Sequence, residues 1–194
     1  MGSVSSIVDS RSSTRRSGLL ARFRRDREGS VAVEFTMLAI PFSMLVFAVL
    51  ETCISFAGQE VLANATDDIA RQMRTGQIRT INETDLRNLV CSRLEIIVTS
   101  GCPGLKIDLR TLTSFNEGTK HSFMIDKGSN QVTLLYAGGN TAFTTQLGEA
   151  GTKNMLRVFY KWPVITDFMS KYISNMSDGT TLHFATMTWQ NEPF

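Results

Sequence analysis

Residues 28–51 read "EGSVAVEFTMLAIPFSMLVFAVLE", and the reading of this stretch decides the fold. Between Glu34 and Glu51 lie sixteen residues without a charge, 35–50. At 1.5 Å per residue they make ~24 Å of helix, short of the ~30 Å hydrocarbon core of a bilayer. "TCISFAG" carries the apolar character on to Gly58, so the run opening at Val31 is long enough to span. Pro41 sits inside it. A proline removes one backbone donor and predicts a kink, which membrane helices tolerate better than soluble ones.

The charges around the run give it a direction. Residues 1–29 hold seven Arg (11, 15, 16, 22, 24, 25 and 27) against Asp9, Asp26 and Glu28, a balance of +4. The rest of the chain carries 13 Lys and Arg against 15 Asp and Glu, a balance of −2. A nucleic-acid-binding body would carry its own basic face, which this one lacks. A basic arm before an apolar run places the N-terminus in the cytoplasm and the body outside it. Three other readings compete. A secretory signal has an apolar core of about 7–15 residues, shorter than this one. An Arg- and Ser-rich leader poor in acids also fits an organelle transit peptide. A buried helix of a soluble protein would need a larger body to cover it.

Beyond Gly58, "QEVLANATDDIARQMRTG" turns amphipathic. Leu62, Ala65, Ile69 and Met73 form a narrow apolar stripe at helical period. The expectation is one long helix over residues 30–75, its first half (30–58) in lipid and its second (59–76) projecting into water, with Gly76 as the stop. Asn82 can cap a second helix, aided by Asp85 at the positive end of its dipole, with Leu86, Leu89, Val90, Leu94 and Ile97 as its buried face. Period-two alternation marks three strands: "LKIDLRTLTSF", "MLRVFYKW" and "TLHFATMTW". No helical crossover of the usual length separates the last two, so they should pair antiparallel. A short helical turn is expected from Asp167, ended by Asp178-Gly179. Residues 120–151 read as a loop, with one short strand at 131–136. The fold class is α+β: a long N-terminal helix, a second helix and a small antiparallel sheet domain over 77–194.

Cys91 lies on the second helix and Cys102 just past it. Outside the cytoplasm a bridge between them is expected. It closes a loop of about a dozen residues, roughly 3 kcal/mol in the chain-entropy model. Two free buried thiols are the alternative. Cys53 lies in the apolar segment and has only to pack. No CxxC occurs, and His121 and His183 stand far apart, so no metal site or other cofactor is indicated. The chain has no GxSxG, P-loop, HExxH or dinucleotide fingerprint. No catalytic residue and no small-molecule substrate is indicated. Three glycosylation sequons, at Asn64, Asn82 and Asn175, are common by chance and carry no weight.

A basic leader, Gly29, four residues, Glu34 and then an apolar run resemble the class III prepilin signal of type IV pilin-like proteins. More closely, the chain resembles TadE-like minor pilins, or pseudopilins, of the tight-adherence (Flp) pilus. The likeness covers 29–51, with Glu51 as a second acid. It returns at "LRVFYKWP" and "WQNEP", and it is loose over 115–150. The resemblance implies a pilin-like fold, cleavage between Gly29 and Ser30 by a membrane prepilin peptidase, and a new N-terminus at Ser30. Gly29 suits a narrow active site because it has no side chain. Glu34, fifth in the cut chain, would then meet the N-terminal amine of a neighbouring subunit, an attraction strengthened at low dielectric. Ser30 stands where standard pilins often have an aromatic residue or Met, which leaves N-methylation open. Glu34 also suits a simple helix entrance, where the dipole favours an acid. Glu51 reads equally as an assembly contact or as a marker of the outer membrane interface. The implied partners are the peptidase, other pilins and pseudopilins, the inner-membrane pilus platform and membrane lipid. The implied location is the bacterial inner membrane, single-pass, with the body in the periplasm. An uncleaved, signal-anchored periplasmic binding module is the second reading.

Overall fold

The computed structural model describes residues 27–126 and 128–193, with side chains from residue 31 onward; the basic leader up to residue 26 lies outside the described residues. The chain divides into two compact units, Met1–Phe47 and Ala48–Phe194. Helix α1 covers Arg27–Arg74 without a break at Pro41. It ends as a Schellman motif at a glycine in the left-handed region: Gly76 has φ 72°, its N–H donates to Met73 O at 3.2 Å, and Gln77 N–H donates to Gln72 O at 3.0 Å.

In the first unit the described part of α1 is apolar and uncovered. Val33, Phe35, Leu38, Phe42, Leu45 and Phe47 are all exposed. The hydroxyl of Thr36 donates back to Ala32 O at 2.8 Å, so the helix itself satisfies this polar group. The segment is long and apolar enough to cross a membrane, and the protein buries none of its most apolar window.

The second unit is built in three layers. The outer layer is the later part of α1 with α2 (Glu83–Leu94). Asn82 caps α2 by accepting from Asp85 N–H at 2.8 Å, and its amide donates to the Asp85 carboxylate at 2.7 Å. The middle layer is an antiparallel sheet of order β1-β5-β6, from β1 (Lys106–Leu112), β5 (Lys153–Trp162) and β6 (Thr181–Gln190). The third layer is a second antiparallel sheet, β2 (His121–Asp126), β3 (Gln131–Tyr136) and β4 (Gly139–Thr141), entered through the short helix α3 (Phe115–Gly118). Helix α4 (Asp167–Ile173) joins β5 to β6.

The stripe on α1 is fully used. Leu62, Ala65, Ile69 and Met73 are buried with Leu86, Val90 and Leu94 of α2 against Leu109, Leu156, Val158 and Trp189 of the first sheet. The other face of β5 turns Phe159 into a smaller core with Val132, Leu134, Met176 and Leu182. There Phe123 meets Phe159 edge-on at 5.0 Å. Strand β5 is therefore covered on both faces, and residues 154–160 are buried without interruption.

The α+β class stands, and four local expectations are corrected. Residues 120–151 are not a loop with one strand: β3 falls on 131–136 as expected, but β2 and β4 flank it. Of the polar residues that alternate in β1 and β5, Lys106 is exposed, while Asp108, Arg110 and Arg157 are buried between the two sheets. Helix α2 stops at Leu94, and Ile97 is exposed rather than part of its buried face. The helix after Thr166 begins at Asp167 as expected but ends at Ile173, where Ser174 turns extended, short of the expected Asp178-Gly179. Cys91 and Cys102 are joined by a disulfide. The loop it holds is also fixed by Arg87, which donates to Leu105 O at 2.7 Å and to Cys102 O at 2.9 Å.

Candidate functional site

Among the described residues no group of three or more His, Cys, Asp or Glu could hold a metal ion. The candidate site is α1 itself: the bare segment up to Leu50 and the seam by which the following turns dock on the body.

Gly29 and Ser30 lie on α1, and Glu34 follows one turn later on exposed helix. The structure thus places the three residues of the expected cleavage and assembly signal within two turns of one another. Glu51 stands apart from them and is turned inward. Only 5 % of it is exposed. Its Oε1 accepts the backbone N–H of Ile165 at 2.5 Å and of Thr166 at 3.2 Å, and its Oε2 accepts the Thr166 hydroxyl. A carboxylate so engaged ties α1 to the start of α4, and it anchors the body to the helix within one subunit.

The seam continues at helical spacing. Ser55 Oγ lies 3.1 Å from His183 Nε2, and Gln59 donates to the carbonyl of Phe184 at 2.9 Å. Between them Gly58 lies on the face of Trp162, where an added Cβ would meet Trp162 Cζ3 at 2.6 Å. Only glycine lets the helix approach this close. The Trp162 ring stacks on His183 with centroids 5.2 Å apart. Burial holds the His183 imidazole below its ordinary pKa, since little there solvates a charge. Its Nδ1 is buried without a hydrogen-bond partner among the described residues.

Two polar hubs that sequence reasoning missed hold the rest of the body. Asp108 is fully buried and faces Arg157 across the β1–β5 ladder. Arg157 donates to Asp108 Oδ2 at 2.8 Å through one terminal nitrogen and at 3.1 Å through Nε. Arg110 donates to both carboxylate oxygens, at 2.5 and 2.8 Å. Thr144 N–H completes the set at 3.1 Å. The guanidinium groups reach on to Ser122 O and Ala142 O, which belong to the third layer. This network fastens the two sheets together. Beside it, burial and then the Arg110 charge lower the pKa of His121. The second hub is Asn191. It accepts from Trp189 Nε1 at 2.8 Å and from Asn154 at 3.0 Å, and donates to Gly148 O at 2.6 Å. Next to it, Glu192 N–H donates to Arg74 O at 2.9 Å, closing the chain's end onto the end of α1. Asp108, Arg110 and Arg157 were visible in sequence only as the polar half of an alternation. Their pairing needs the strand register.

Residues 29–71 match the model of the TadE-like protein family. No curated protein and no solved structure matches the chain. The matched segment opens at Gly29 and takes in Glu34, Glu51, Gly58 and most of the buried stripe of α1.

Proposed function

We propose that this chain is a membrane-anchored minor pilin or pseudopilin of a tight-adherence (Flp) type pilus, made as a precursor and cut between Gly29 and Ser30 by a prepilin peptidase. The observation that carries the reading is a coincidence of three boundaries. The TadE-like match begins at the proposed scissile glycine, and in the sequence the basic arm ends and the apolar run opens within two residues of it. Cleavage frees an amine at Ser30. Glu34, about one turn further along, is an acid that helix geometry holds near the membrane face of the helix. In lipid such an acid needs a cationic partner, and the Ser30 amine of an adjacent subunit supplies one. The helix surface over 31–50 then packs among neighbouring subunits and lipid in the inner membrane, while the disulfide-bonded body stands in the periplasm, where oxidation is favoured. In this reading Glu51 works inside the subunit and Glu34 between subunits.

The test is the mass of the mature protein from cells that hold the peptidase. The expected N-terminus is Ser30; an intact chain points to an uncleaved anchor, and a cut inside the Arg-rich leader to a targeting peptide. Gly29→Leu should leave the precursor uncut. Glu34→Ala should be cut normally and fail to enter the pilus machinery, read by co-purification with the other subunits.

A further inference from the structure

We infer that the body of this protein carries an apolar collar around the exit of α1 that rests in the lipid headgroup region, so that the domain is seated on the bilayer surface as well as tethered to it. The inference rests on the membrane-anchored reading above and adds a second, non-spanning contact.

Glu51 fixes the height. It is the first charge after the run 35–50, and its carboxylate holds the backbone of Ile165 and Thr166. Helix α4 therefore begins level with the turn of α1 that leaves the hydrocarbon. Phe168 and Tyr172 follow four residues apart on one face of α4, and Ile165 lies just before its cap residue Thr166. Ile165 is 71 % exposed and Tyr172 73 %, and the Phe168 and Tyr172 rings meet at 5.4 Å. No residue of α4 is buried, so this short helix contributes nothing to either core.

Other elements extend this surface. Ile54 and Phe56 of α1 are two residues apart, so they point about 200° away from each other around the helix. Ile54 lines a hollow of about 170 Å³ with Ile97 and Ile165. Phe56 lines a groove of about 270 Å³ with Ile173. Ile96, beyond the end of α2 and next in sequence to Ile97, is 83 % exposed. Exposed apolar side chains thus come from α1, from the segment after α2 and from α4, and they line hollows on two sides of α1. A protein partner would call for a patch on one side. Apolar surface on two sides of α1 at this height fits the plane from which the helix emerges, and Tyr favours that boundary because it combines an apolar body with a polar edge.

Nitroxide labels on the full chain test this. In a Cys53→Ser background, single cysteines at Phe168, Ile96, Phe42 and Ala150 are labelled, and the protein is reconstituted in vesicles of phosphatidylethanolamine and phosphatidylglycerol. Collision with oxygen and with a neutral nickel chelate then reports depth. The label at Phe42 should favour oxygen strongly and that at Ala150 the nickel chelate. The collar predicts that Phe168 and Ile96 favour oxygen several-fold more than Ala150. Nickel access equal to that at Ala150, with Phe42 in lipid, overturns the collar and leaves the anchor intact. Shielding of Phe168 and Ile96 from both reagents overturns it in favour of a protein-covered surface. A Phe42 label open to nickel overturns the anchor and the collar together.

Discussion

Leu45 and Ile69 stand on one continuous helix, yet they answer to different solvents. Ile69 is fully buried at the centre of a core made by two helices and a sheet. Leu45 is exposed, like nearly every apolar residue around it. The backbone is α-helical at both positions. What differs is periodicity. Around Ile69 the apolar residues recur every three or four positions, and polar residues such as Asp67, Asp68 and Arg71 fill the gaps. Around Leu45 the apolar residues fill every side. A helix apolar on all sides and uncovered by its own protein needs a non-aqueous surrounding. A striped one needs only a single neighbour. The matched segment spans both kinds.

The largest expected effect lies in the body, at its buried ionic knot. Asp108→Ala leaves two guanidinium groups facing each other in a dry interior. Breaking a buried pair from one side costs about 3–5 kcal/mol. The third layer should then loosen as a unit, with loss of hydrogen-exchange protection over 121–141. Wild-type protection there would show that the sheets are held by Phe123 and Phe159 alone.

Second in size is the contrast itself. Ile69→Ala should destabilise the body by about 2–5 kcal/mol, the usual cost of a large-to-small change in a core. Leu45→Ala should shift the unfolding of the body by no more than ~0.5 kcal/mol. Both tryptophans, Trp162 and Trp189, lie in the body, so their fluorescence in detergent reads its unfolding for either variant. Equal effects would mean that the halves of α1 share one solvent after all.

How legible this was in the sequence depends on how far apart the interacting residues are. The helix stripe, the cap at Asn82, the stop at Gly76 and strand β3 all rest on neighbours within a few residues, and they read correctly. The polar faces of β1 and β5 did not. Alternation predicts a wet side, and only the return of residues 121–141 over that side makes it dry. Glu51 shows the same limit. Its position after an apolar run suggested a membrane boundary, but its hydrogen bonds reach residues more than a hundred positions away. The sequence signal at Gly29 and Glu34 lay in spacing alone, and the structure adds only that the two share adjoining helical turns.

A smaller effect should come from Gly58→Leu. Its side chain must displace Trp162 from the seam, and overpacking costs about 1–3 kcal/mol. The shift should appear as a red-shifted Trp162 emission, since the indole would gain water. If emission and stability stay unchanged, the seam is looser than the 2.6 Å approach implies.

The smallest effect is a pH dependence confined to the body. Burial lowers the pKa of both His183 and His121 below the ordinary 6.5. A group whose folded pKa is depressed binds protons more readily when unfolded. Its contribution is therefore fully present above about pH 6.5 and is lost as pH falls below that value. Glu117 and Asp178 are also held below their ordinary values, by hydrogen bonds from Thr113 and from Thr180, so they act only in more acid solution. Melts between pH 7.5 and 5 thus isolate the imidazoles. The melting temperature should fall across this range, and His183→Gln should flatten the fall more than His121→Gln. His183 is the more deeply buried, and among the described residues its one hydrogen-bond partner is the hydroxyl of Ser55. An unchanged slope in the His183 variant would mean that the seam admits water, and that the helix meets the body less tightly at Ser55 than at Ile69.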